Sequence, residues 1–237
     1  MFGAVRPSWI DKEMFYRMPF NFCDRWCERC NLTSLCRVYK DLYKTRKNFI
    51  KQSKTPDSLE SAFETVADNF KKMKKMLKKD AKKWGIDLNN LEEEIPEKEV
   101  SLEDKFEKYP LYRLISDYSK KIKDFLEELS YIILETDNKA IDNLEIINYY
   151  QLLLPAKIYR ACISKEEEEE MENDTTMDSQ TSGFIAIRGL KAIIASLCNL
   201  STYRYLKPSR KKIINLIEVS KDLVDLTNQK FIPEIKN

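Results

Sequence analysis

The chain has 237 residues, with 41 Lys and Arg against 39 Asp and Glu, a formal net charge of +2. No whole-molecule field steers it to nucleic acid, so any electrostatic function has to be local. Histidine is absent, which excludes Ser-His-Asp and Cys-His triads, HExxH zinc proteases, His-ligated metals and the Glu-x-x-His pairs of ferritin-like di-iron bundles.

Only four glycines and eight prolines occur in a chain rich in Lys, Glu, Leu and Ile. That composition disfavours turn-rich sheets and predicts an all-α protein, and 43% hydrophobic residues suffice for a packed core. The first residues lack a basic region followed by an apolar run, and no later stretch reaches eighteen uncharged apolar residues. The expectation is a cytoplasmic protein with no transmembrane segment. In a reducing compartment six cysteines point to metal ligation before disulfides.

Residues 1 to 22 are aromatic and irregular, limited by Pro7 and Pro19, and read as a wrap around a metal loop. That loop holds Cys23, Cys27, Cys30 and Cys36, four cysteines within fourteen residues in the pattern C-x3-C-x2-C-x5-C. Thiolates are soft ligands that suit zinc or an iron-sulfur cluster, and a short loop can converge four of them. Structural zinc commonly uses two C-x2-C knuckles, whereas this loop has one. Arg25, Arg29 and Arg37 lie beside the ligands, where they either offset the negative charge of a cluster or are ordinary surface arginines. Trp26 and Tyr39 either shield the site or pack as plain core aromatics.

The last three of these cysteines and their surroundings, Cys27-Glu-Arg-Cys30-Asn-Leu-Thr-Ser-Leu-Cys36-Arg-Val-Tyr, resemble the iron-sulfur loop of the endonuclease III and adenine-glycosylase family. The resemblance covers about fourteen residues and implies a [4Fe-4S] cluster on Cys27, Cys30 and Cys36. Cys23 is the fourth ligand on this reading, although its gap is three residues where that family has six. The rest of that enzyme is not matched, since no Gly-rich helical hairpin is visible. Cys23, Cys27 and Cys30 also match the C-x3-C-x2-C spacing of radical S-adenosylmethionine enzymes. Those resemble partial β/α barrels with an aromatic residue before the third cysteine, and this chain has Arg29 there and few candidate strands.

Leu35 to Lys51 reads as a short basic helix entered through Thr33 and Ser34. Asp57 or Ser58 starts a clearer one, with Leu59, Phe63, Val66, Phe70, Met73 and Leu77 three and four apart, Trp84 seven further on and Gly85 as its C′ residue. Residues 86 to 105 lack periodicity and predict a linker. Pro110 opens a helix to about Thr136 whose apolar side is Leu111, Leu114, Ile115, Tyr118, Ile122, Phe125, Leu129 and Ile132. Ile141 to Ile163 is another, which Pro155 kinks or ends early. The acidic run near residues 165 to 181, with Glu166 to Glu170 unbroken, predicts a disordered loop. Ile185 to Leu200 is a buried central helix with small residues at Gly189, Ala192, Ala195 and Ser196, and Ser209 caps a last helix to Asn228.

The sum is a helical bundle of about six helices behind an irregular four-cysteine metal loop, divided as residues 1–56 and 57–237. Eight lysines from Lys71 to Lys83, opposed only by Asp80, either hold nucleic-acid phosphates or form a solvated face that complements the helix dipole. Lys157 and Arg160 share one face of a mostly apolar segment and either meet an anion in the bundle or reach out to water. Cys162 and Cys198 are expected to pack as small buried hydrophobes. The functional expectation is a [4Fe-4S] protein that is either a redox module with a redox partner protein or a cluster-stabilised module. The alternative is a nucleic-acid-associated helical module with structural zinc.

Overall fold

In the computed structural model, residues 3–56, 58–86, 101–132, 137–170 and 177–232 are described. Among them are eight α-helices: α1 (Lys12–Arg17), α2 (Arg37–Lys51), α3 (Leu59–Trp84), α4 (Leu102–Lys108), α5 (Pro110–Ser130), α6 (Asn138–Glu170), α7 (Asp178–Ser201) and α8 (Arg210–Phe231). The expected all-α bundle is what the chain forms. The only β pairing among the described residues is an isolated antiparallel bridge between Ala4 and Cys23.

The chain divides into two compact units, Met1–Cys30 with Val100–Asn237, and Asn31–Glu99. In the first unit the long helices α5 to α8 form a four-helix bundle in which each is antiparallel to its neighbours. Contacts between opposite helix ends establish this. Tyr109 and Lys108, immediately before α5, meet Glu166 near the end of α6. Arg160 of α6 meets Asp178 at the start of α7, while Asn143 near the start of α6 meets Asn199 near the end of α7. Gly183 early in α7 touches Phe231 at the end of α8, and Lys212 early in α8 binds Glu128 late in α5.

The core follows the predicted periodicities except at Leu114 and Ile132, which the spacing puts on the apolar side and which are exposed. Ile115, Tyr118, Ile122 and Leu129 of α5 are almost inaccessible, as are Ile147, Tyr150, Leu154 and Ile158 of α6, Leu190, Ile193 and Leu197 of α7, and Ile213 of α8. Gly189 lets α7 approach α6 closely, because a Cβ there would lie 2.8 Å from a ring carbon of Tyr150. One helix among the described residues, α7, is long and apolar enough to cross a membrane, and just over half of its apolar window is buried within the bundle.

Four local features depart from expectation. The N-terminal segment is more regular than predicted, with Asp11 capping α1 and Pro19 opening a 3-10 turn to Phe22. Ser101 and Asp104 form a reciprocal capping box that starts α4 inside the expected linker, while residues 87–100 of that linker lie outside the described residues. Helix α6 runs through Pro155 without a break, since packing along both flanking stretches holds the helix across one missing amide. It also continues through Lys165–Glu170, where composition predicts a disordered loop. Glu166 is held there by Lys108 and Tyr109, and Glu168 by Ser179; residues 171–176 lie outside the described set.

Tyr118 is buried and donates to Ser220 Oγ, which itself donates to the Leu216 carbonyl. Burial pushes the Tyr118 phenol up from 10.0 to about 12. A raised folded-state pKa gives stability that is complete below the unfolded value and lost as pH climbs through the folded one. Urea denaturation should therefore show stability falling between about pH 10 and pH 12, and Tyr118→Phe should make that decline shallower. An unchanged alkaline slope in the variant would show that Tyr118 does not contribute.

Candidate metal centre

The N-terminal segment of the first unit enters the cysteine loop through the 3-10 turn Pro19–Phe22, after which Cys23 is extended and paired with Ala4. The Cys23 thiol donates to the Phe20 carbonyl at 3.3 Å. Arg25 then takes the left-handed conformation, at φ 68°, and reverses the chain so that Trp26 points into the core while Cys27–Arg29 forms a second 3-10 turn. A non-glycine residue holds such a conformation only where its surroundings impose it. Here the imposing group is Asp24.

Asp24 is 1% exposed, and a carboxylate that deep needs partners for its charge and lone pairs. The Gly3 amide donates to both of its oxygens at 3.1 and 3.2 Å, and the Trp26 amide donates to Oδ1 at 3.0 Å. The Tyr150 hydroxyl donates to Oδ2 at 2.6 Å, and the Arg188 guanidinium stands 3.7 Å from the same oxygen. Arg188 also donates to the Gly3 carbonyl at 3.0 Å, and the Tyr149 hydroxyl donates to the Asp24 carbonyl at 2.7 Å. One buried carboxylate thus joins the N-terminal segment, the loop, α6 and α7. Burial, then the nearby Asp24 charge, pushes both tyrosines well above the usual phenol range, so both remain hydroxyl donors.

A second layer seals the loop. Trp26 stacks on Tyr149 with centroids 4.1 Å apart and planes 17° apart, and the Arg29 guanidinium lies 4.4 Å from the Trp26 ring centre. Arg29 pairs with Asp142 at 2.5 Å and Glu145 at 2.7 Å on α6. The expected charge partner beside the cysteines is therefore a clamp between loop and bundle, with Trp26 as a core aromatic beneath it. Arg37 is exposed and stands 3.9 Å from Asp41, while Tyr39 stacks on Tyr43.

The loop carries Cys23, Cys27 and Cys30 on the first unit. Cys23 is buried and the other two are half-buried. Gly3, at φ 79°, packs against Cys30 so closely that a Cβ on it would lie 2.4 Å from Cys30 Sγ, so only glycine suits that position. Cys36 belongs to the second unit and sits at the N-cap of α2, where its Sγ accepts the Tyr39 amide at 3.5 Å. Among the described residues, no three or more Cys, Asp or Glu side chains gather closely enough to hold a metal ion. The donor set suits a soft metal in its chemistry.

Other expected candidates separate. Arg160 is exposed and pairs with Asp178 at 2.6 Å, whereas Lys157 is half-buried. Burial and then the fields of Arg160 and Arg25 lower the Lys157 pKa, while Arg160 is held by Asp178. Cys162 is buried, which pushes its thiol up, but Cys198 is exposed, against expectation. Ile193, Leu197 and Leu200 form the buried face of α7, and position 198 falls on the opposite side.

Tyr150→Phe removes one hydrogen bond to a buried charge and should cost about 1.5–3 kcal/mol. Arg188→Met leaves the carboxylate without its cation and should cost about 3–5 kcal/mol. Chemical denaturation at neutral pH checks both, and a smaller loss for Arg188→Met than for Tyr150→Phe would remove Asp24 from its place as anchor. Comparison of the chain with models of known families, with curated proteins and with solved structures returns no match.

Proposed function

We propose that Cys23, Cys27, Cys30 and Cys36 bind an iron-sulfur cluster of the [4Fe-4S] type on a helical scaffold, as a redox or cluster-stabilised module. The observation that carries this reading is the density of soft donors in a loop tied by a buried carboxylate to the bundle core. Three thiols within eight residues are carried by backbone that Asp24, Trp26 and Arg29 hold in place. Packing alone does not account for a loop of this composition, since Cys27 and Cys30 are only half-buried. The reading demands that the sulfurs draw together on binding, with Cys36 giving up its N-cap contact to Tyr39. When bound, such a cluster supplies one-electron transfer or cross-linking of the loop. The clamp residues hold the loop and keep water from its inner side.

Structural zinc on the same four thiolates is the second reading, and the exposed lysines of α3 favour its association with nucleic acid. Every lysine from Lys71 to Lys83 is exposed. That association requires RNA or DNA binding that falls steeply with salt and is lost when these lysines are neutralised.

Anaerobic purification with a visible spectrum and metal analysis separates the readings. Brown protein with about four irons per chain is the expected result, and Cys30→Ser should lower that content while Cys198→Ser leaves it unchanged. Colourless protein with one zinc per chain replaces the cluster, and protein with neither metal ends both readings.

A further inference from the structure

Within the second unit, α3 carries an apolar seam that none of the described residues of that unit covers. Leu59, Phe63, Val66, Phe70, Met73, Leu77 and Trp84 alternate four and three apart and then skip seven, which are the a and d positions of successive heptads. Asp80 occupies the one remaining place. All seven apolar side chains are exposed, from 49% for Met73 to 74% for Leu59. The segment leading into α3 does not account for them, because its contacts fall on another side of the helix. Ser61 Oγ donates to the Thr55 carbonyl at 2.7 Å, Lys54 pairs with Glu64, and the groove toward α2 is lined on the α3 side by Thr65, Asn69 and Lys72.

Two properties of the seam identify what it fits. First, it is narrow and repeats every 3.5 residues, so on a straight helix it drifts by about 20° per heptad. A flat lipid surface does not track that drift, whereas a second helix supercoiling around α3 does. Second, the charges are segregated along the axis. Between Leu59 and Phe70 lie Glu60, Glu64 and Asp68 with no Lys or Arg, and beyond Phe70 lie eight lysines with only Asp80. A polyanion or an anionic bilayer attracts the second half and repels the first. A parallel copy sets like charges side by side, while an antiparallel copy lays each acidic half along a basic one.

We propose that α3 is a self-association surface through which two copies of the chain join as an antiparallel coiled coil. The antiparallel arrangement of a and d positions forms the layers Leu59–Trp84, Phe63–Asp80, Val66–Leu77 and Phe70–Met73 between copies, so the whole seam is used. Asp80 facing Phe63 is the one unfavourable layer, and it weakens the pair at both ends. This inference is independent of what the cysteines bind.

Sedimentation equilibrium of the full chain under reducing conditions tests it. The expected result is a dimer that Met73→Glu weakens by roughly tenfold or more and that Asp80→Leu tightens. Because both side chains are exposed in the single chain, the bundle should keep its melting behaviour in either variant. A zero-length carbodiimide cross-linker should join Glu60 or Glu64 to lysines among Lys78 to Lys83. Within one straight helix Glu64 and Lys78 are about 21 Å apart, so such links report the other copy. A monomer at protein concentrations on the order of 0.1 mM, a dimer indifferent to both substitutions, cross-links only between Asp68 or Asp80 and neighbouring lysines, or recruitment to anionic vesicles without dimerisation would each overturn the proposal.

Discussion

A carboxylate removed from water must be solvated by the protein, and the first unit is organised around meeting that requirement at Asp24. Its oxygens receive two backbone amides and the Tyr150 hydroxyl, with Arg188 as the cation. None of these groups is spare. Each belongs to a different piece of chain, so solvating one ion fixes the N-terminal segment and the loop against α6 and α7. The left-handed Arg25 arises from the same demand, because the chain must reverse at once if the amide of Trp26 is to return to the carboxylate that precedes it by two residues. The cysteine loop owes its course to a residue that is not itself a ligand.

Such a centre could not be read from the sequence. Helical periodicity, caps and breakers act over a few residues, and they located α3 between Ser58 and Gly85 and placed Pro110 at the start of α5. Asp24 meets Tyr150 and Arg188 more than a hundred positions away, and no local pattern marks which of many acidic residues will be buried. The same reasoning explains the acidic run at Glu166 to Glu170. Its composition favours a solvated segment, but Lys108, Tyr109 and Ser179 arrive from elsewhere in the chain to hold it as helix. In contrast, the start of α4 was legible, since Ser101-x-x-Asp104 is a capping pattern obscured by the irregular residues before it.

The cysteines show a different limit. Spacing establishes which donors are available and what softness they have, but converging them requires the loop and the start of α2 to adopt one arrangement. The chain places Cys23, Cys27 and Cys30 with one unit and Cys36 with the other. Were these four cysteines to bind one centre as proposed, metal affinity would be thermodynamically coupled to the rigidity of residues 31 to 36.

The character of α7 comes from its position more than from any affinity for lipid. It lies between α6 and α8 and also faces the N-terminal segment, where Trp9 packs edge-on against Phe184 and Arg188 reaches Gly3 and Asp24. A helix covered on so many sides becomes apolar nearly all round, which gives it the composition of a membrane span. The same covering supplies a counter-argument from charge. Arg188 falls within this helix and has its carboxylate inside the bundle, and Ser179, Thr181, Ser182 and Ser196 are buried along the same helix. Lipid offers neither a carboxylate nor a partner for those hydroxyls, so the residues that make α7 the bundle's central helix are also the ones that make its transfer to a bilayer costly.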